Sequence, residues 1–73
     1  MRLRIRELRI DHDLKQEVVA KFLNISQSVY SRYENGERAT PDEIKIKLAE
    51  RYKTSVDYLL GITDEKAAYK PIK

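Results

Sequence analysis

Residues 16–36 read QEVVAKFLNISQSVYSRYENG, and the order of residue types in this stretch decides the fold. Val19, Ala20 and Leu23 repeat at i, i+1 and i+4, the spacing of one buried face of a helix over residues 16–23. Asn24 follows where the chain must turn. After glycine, asparagine is the residue that best tolerates positive φ. Ile25 is an apolar plug in that turn. Ser26 is a good N-cap for a second helix over residues 27–35, and Gly36 ends it. The stretch therefore predicts two short helices joined by a tight turn.

The second of these helices has two distinct faces. At about 100° per residue, Gln27, Ser28, Ser31, Arg32 and Asn35 fall on one side, and Val29, Tyr30 and Tyr33 on the other. The apolar face suits docking against the preceding helix. The polar face suits the major groove of duplex DNA. There Gln pairs bidentately with adenine N6/N7 and Arg with guanine O6/N7. Gln27 and Ser28 lie at the N-terminal end, which normally meets base edges. Gln16 and the free N–H groups at the start of the preceding helix are candidates to grip a phosphate. Taken alone, the helix reads equally well as an amphipathic surface helix with solvated polar residues. Tyr30 and Tyr33, being on the inward side, are expected in the core rather than stacked on bases.

Outward from this stretch the pattern stays helical. Residues 3–10 predict a first helix with Ile5 and Leu8 on one face, followed by a polar turn at Asp11-His12-Asp13, with Leu14 after the break. Asp13 stands where a left-handed exit residue is wanted. Thr40-Pro41-Asp42-Glu43 predicts a helix start, with Thr40 as cap, Pro41 at the first helical position and Glu43 completing a capping box. That fourth helix is expected to reach about Tyr52, with Ile44, Ile46, Leu48 and Ala49 apolar. Thr54-Ser55-Val56-Asp57 reads as a second capping box opening a short fifth helix that ends at Gly61. Tyr52 and Tyr58 are expected in the core or at a dimer contact. Residues 62–73 are polar, contain Pro71 and lack periodicity, so they are expected to form a flexible tail. Its lysines, Lys66, Lys70 and Lys73, are either DNA-touching or disordered.

Composition narrows the function. Seventy-three residues make one small domain, too small to enclose a large substrate pocket as a monomer. There is no cysteine, which excludes disulfides and thiolate metal sites, and the single His12 cannot build a zinc site. His12 is expected exposed in its turn. No cofactor and no metal are expected. No run approaches the ~18 apolar residues of a membrane span, and the N-terminus lacks a signal-peptide core, so a cytoplasmic location is expected. Net charge is +3, a mild basic bias compatible with nucleic acid. Arg2, Arg4, Arg6 and Arg9 crowd the first ten residues; they either steer DNA or, all but Arg9, form an ordinary solvated face.

From about residue 5 to residue 61 the chain resembles the Cro and phage-repressor-like helix-turn-helix family, also called the Xre family. The resemblance rests on several pieces in order at the right spacing. They are Leu14-Lys15-Gln16, the run from Val19 to Ser26, the run from Tyr30 to Gly36, Leu48-Ala49, and the run from Val56 to Gly61. It implies an all-α, five-helix, lambda-repressor-like DNA-binding domain over residues 1–61, with the helix-turn-helix formed by helices 2 and 3. By position it implies base contacts from Gln27, Ser28 and Arg32. It also implies backbone contacts from Lys15, Gln16, Ser31, Asn35 and Arg38, and a structural ion pair between Arg9 and Glu34. Several residues depart from the family pattern. Lys15 stands where Ser or Thr often caps the second helix, giving up a cap worth roughly 1 kcal/mol while adding a cation near phosphates. Asn24 replaces the commoner glycine. Glu37 places an acid beside the phosphate-contact loop. Val18 and Phe22, four apart on one face, are apolar where polar residues are frequent.

The expected function is a sequence-specific, double-stranded-DNA-binding transcriptional regulator, a repressor acting as a homodimer on a palindromic operator. The alternative is a protein-interaction module, such as an antitoxin or accessory factor, with Val18, Phe22 and the tail as its interface. Catalysis is not expected. There is no nucleophile–base pair, no metal cluster and no phosphate-binding glycine loop, and capping explains Asp42 and Glu43.

Overall fold

The computed structural model describes residues 3–67. Among them are five helices and no strand: α1 (Ile5–Asp11), α2 (Gln16–Leu23), α3 (Gln27–Asn35), α4 (Asp42–Arg51) and α5 (Val56–Leu60). Pairwise, α2 packs on α3 and α4 on α5. Helix α1 closes the bundle. The backbone N–H of Arg4 donates to the Leu59 carbonyl at 3.0 Å, tying the chain's start to α5.

The core draws on every helix. Ile5 and Leu8 of α1 meet Val19, Ala20 and Leu23 of α2, Tyr30 and Tyr33 of α3, Ile44, Leu48 and Ala49 of α4, and Tyr58 and Leu59 of α5. Tyr30, Ile5, Leu48 and Leu59 have no appreciable solvent contact. Burying side chains of this size contributes roughly 1.5–3 kcal/mol each. Four short helices and a one-turn fifth would not persist alone, so this shared core holds them helical.

All five helices end in the same way. A residue in the left-handed region follows the last turn, and its own N–H and that of the next residue bond back into the helix as a Schellman motif. The left-handed residues are Asp13, Asn24, Gly36, Lys53 and Gly61, with φ between 54° and 79°. At the α2 exit, Asn24 N–H reaches Lys21 O at 3.1 Å and Ile25 N–H reaches Ala20 O at 3.0 Å. That closure turns the chain sharply and aims α3 away from α2. Only two of the five positions are glycine. Lys53 is the one that carries neither glycine nor an Asx side chain.

Several local expectations are corrected. Helix α1 covers residues 5–11 rather than 3–10, and Leu3 is buried ahead of it. Pro41, not Thr40, stands at the N-cap of α4, in extended conformation and without a side-chain cap. The Pro41 carbonyl accepts from Ile44 and Lys45, so the helix starts one residue later. Thr40 is buried and lies one residue too early to reach the free N–H groups. At α5 the cap is Ser55, whose Oγ accepts from Tyr58 N–H at 3.1 Å. The neighbouring Thr54 is buried, and its own N–H closes the end of α4. Ile46 is 51% exposed and lies outside the core. Helix geometry explains it, because Ile44 and Leu48 are four apart on one face and Ile46 falls opposite. Tyr52 and Tyr58 are core residues.

Residues 62–67 have no regular structure but touch α1. Arg4 donates to Asp64 at 2.8 Å and to the Thr63 carbonyl at 3.2 Å, and Lys66 donates to Asp11 at 3.1 Å. The Arg4 guanidinium also sits 4.6 Å from the Tyr58 ring centroid. Arg4 and Lys66 are thus engaged within the chain. Arg2, Lys70, Pro71 and Lys73 lie outside the described residues.

Candidate nucleic-acid interface

The turn at Asn24 and the core contacts of Tyr30 and Tyr33 fix which side of α3 faces outward. Ser26 caps the helix, its Oγ accepting from Val29 N–H at 3.1 Å. Gln27, Ser28, Arg32 and Asn35 are exposed, and Ser31 is half-buried. No hydrogen bond or ion pair among the described residues occupies the side chains of Gln27, Ser28 or Arg32. One helical face therefore presents an amide, hydroxyls and a guanidinium with their hydrogen-bonding capacity unspent.

Lys15 is the N-cap of α2, exposed and without a side-chain cap. Its carbonyl accepts from Val18 and Val19, which leaves the first N–H groups of α2 free. Arg38 and Glu37 are exposed in the loop after α3. The structure thus brings Lys15, Gln16 and the α3 row into one helix-turn-helix unit, with Arg38 in the loop that follows.

Behind this unit lies a buried charge cluster. Arg9 Nε donates to Glu34 Oε2 at 2.6 Å and Arg9 Nη2 to Oε1 at 3.2 Å. Arg9 Nη1 donates to the Leu14 carbonyl at 2.8 Å. Gln16 Nε2 donates to Glu34 Oε1 at 3.0 Å. Glu34 is 1% exposed. Burial alone would raise its carboxyl, but Arg9 foremost, then the adjacent Tyr30 hydroxyl and the Gln16 amide, outweigh it and hold the group below the usual carboxylate range. The Arg9 guanidinium is raised, chiefly by its hydrogen bond to Glu34. The Tyr30 phenol is raised by burial first and by the adjacent Glu34 carboxylate second. Its hydroxyl completes no hydrogen bond. The Gln16–Glu34 bond was not anticipated from sequence. The Arg9–Glu34 pairing came from the family pattern, and nothing in the local periodicity pointed to Gln16 as a third member.

On the outer side of α2, Val18 is 47% and Phe22 50% exposed, with the Arg51 guanidinium 6.0 Å from the Phe22 ring centroid. Phe22 is only half packed against its neighbours. His12 is exposed in its turn, its Nδ1 lying 2.8 Å from the Leu8 carbonyl and its ring 4.8 Å from that of Tyr52. Among the described residues there is no group of metal-ligating side chains. No described helix is long and apolar enough to cross a membrane.

Two helices joined at a left-handed turn, the second with a locked apolar face and a free polar face, define a helix-turn-helix domain. Residues 5–59 match the helix-turn-helix family model. The chain belongs to this family, the Xre/Cro-like helix-turn-helix proteins. It is 40% identical over 62 residues to the uncharacterized HTH-type transcriptional regulator YobD of Bacillus subtilis (strain 168), a match covering 85% of this chain and 55% of that protein. It is 35% identical over 58 residues to the cryptic phage CTXphi transcriptional repressor RstR of Vibrio cholerae, covering 80% of this chain and 52% of that one. The chain thus spans about half the length of the curated relatives it matches. No solved structure matches it significantly.

Proposed function

We propose that this chain is a sequence-specific duplex-DNA-binding domain of a transcriptional regulator, a repressor, that reads the major groove with α3. The observation that carries the reading is the exposed, unpaired row Gln27, Ser28 and Arg32 on a helix whose other side is locked by Tyr30 and Tyr33. Gln27, Ser28 and Arg32 contact base edges. Lys15, Gln16, Ser31, Asn35 and Arg38 contact the sugar–phosphate backbone. Phosphate contacts supply most of the affinity and fix the register, and base contacts supply the discrimination. The activity is binding rather than catalysis, in the cytoplasm. A single domain this small offers few contacts, so two copies bind a palindrome with half-sites about one helical turn, ~34 Å, apart. The names of both relatives support regulation, and that of the phage protein supports repression.

Arg32→Ala tests the base-reading role. It should lose preference at one base-pair position, costing roughly 1–3 kcal/mol there, and leave affinity for unrelated duplexes little changed. Equal losses on all sequences would make Arg32 a phosphate contact instead. A second reading is favoured by one observation, the half-exposed Val18 and Phe22. Under it the domain docks a partner protein through α2. Gln27→Ala with Arg32→Ala would then leave partner binding intact while abolishing DNA binding.

A further inference from the structure

We propose that Glu34 is a positioning residue for DNA binding: it holds the Gln16 amide in one orientation and so ties the phosphate donor at the start of α2 to the reading helix. The inference rests on the duplex-DNA reading above. A glutamine side chain presents a donor end and an acceptor end and is otherwise free to rotate. Here the 3.0 Å contact to Glu34 Oε1 removes that freedom. Only Nε2 can face a carboxylate, so the two ends of the amide cannot exchange. One Nε2 hydrogen is spent on Glu34, and the second is the donor left for a phosphate oxygen.

Three features fit a positioning role. The carboxylate is buried and fixed by two hydrogen bonds from Arg9, so it is a rigid anchor. Arg9 balances its charge, so an acid at this place does not repel the phosphate that Gln16 would meet. Glu34 also belongs to α3, between Arg32 and Asn35, so the phosphate donor is anchored to the helix that reads bases. Register between backbone contact and base contact is thereby set by one hydrogen bond across the two helices.

The test is a double-mutant cycle on the full chain, using fluorescence anisotropy against a duplex selected from a random pool and an unrelated duplex. The wild type, Gln16→Ala, Glu34→Gln and the double variant are compared at a temperature where melting curves show each folded. Gln16→Ala should weaken both duplexes alike, by about fivefold. Glu34→Gln should weaken them similarly, and the double variant no further than either alone. Gln16→Lys, which keeps a donor for both partners, should restore binding and steepen the salt dependence by about one unit of slope. Additive losses in the double variant would make Glu34 merely structural and overturn the proposal, as would unchanged binding by Gln16→Ala. If the wild type binds no duplex, the DNA reading itself fails and the proposal falls with it. Should Glu34→Gln not fold, the Gln16 side-chain amide signals of the wild type decide. One hydrogen should be protected from exchange in the free protein and the other should shift on adding duplex; equivalent, unprotected hydrogens would overturn the proposal.

Discussion

Arg9 on α1 and Glu34 on α3 are joined by two hydrogen bonds, 2.6 and 3.2 Å long, around a carboxylate that is 1% exposed. A pair so placed is not an obvious source of net stability, because removing two charges from water offsets much of their attraction. Its consequence is asymmetric. Taking away one partner strands the other.

Arg9→Ala should therefore destabilise the domain by about 3 kcal/mol, far more than a surface substitution. Urea denaturation monitored by circular dichroism measures this directly. A midpoint close to that of the wild type would show that the pair does not hold α1 to α3.

The same carboxylate makes stability depend on pH. Glu34 is held below its usual value of 4.5 in the folded state. Between the two values the unfolded chain binds the extra proton, so stability falls as pH falls. The Glu34 contribution is fully present above about pH 4.5 and is lost as pH drops through the folded value. Thermal melts between pH 7 and pH 3 should show a decline that is shallower in Glu34→Gln. Equal declines in the two proteins would assign the acid sensitivity to other carboxylates.

Lys53 is left-handed with φ 54°, without the glycine or Asx chemistry of the other four helix exits. A side chain in this region costs roughly 1–2 kcal/mol, part of which glycine's greater freedom in the unfolded chain gives back. Lys53→Gly should stabilise the domain by about 0.5–1 kcal/mol, raising Tm by several degrees in a domain this small. A lower Tm would mean that the Lys53 side chain makes a compensating contact.

The Tyr52 hydroxyl is buried and has no hydrogen-bond partner, and burial raises its phenol. Tyr52→Phe removes an unsatisfied polar group while keeping the ring beside His12. Its stability should lie within about 0.5 kcal/mol of the wild type or above it. A loss of 2 kcal/mol or more in calorimetry would show that the hydroxyl is satisfied in solution.

Much of this architecture was legible in the chain. The i, i+1, i+4 spacing of Val19, Ala20 and Leu23 marked α2, and Ser26 and Gly36 bounded α3, because periodicity and capping act locally. Asp13 and Asn24 could be read as left-handed exits because Asx residues suit that region. Lys53 could not, since its conformation is imposed by the packing of α4 against α5 against its own preference. The starts of α4 and α5 each fall one residue later than the caps read from sequence: at α5 two adjacent hydroxyl residues, Thr54 and Ser55, can both cap and Ser55 does, and at α4 Pro41 takes the N-cap position without any side-chain cap. Ile46 was misplaced by counting apolar residues without their angular positions. At the candidate interface the outward row of α3 followed from helical geometry. The link from Gln16 to Glu34 spans 18 residues and two helices, and no local pattern encodes it.

The most direct test of duplex reading by α3 is selection of the purified chain against a random duplex pool. Anisotropy on the enriched sequence and a shuffled control, at two salt concentrations, would follow. The expected result is an enriched palindrome with half-sites about 10 base pairs apart, tight salt-sensitive binding to it, and much weaker binding to the shuffled duplex. No enrichment, with equal weak binding to both duplexes, would contradict it and turn attention to the Val18 and Phe22 face.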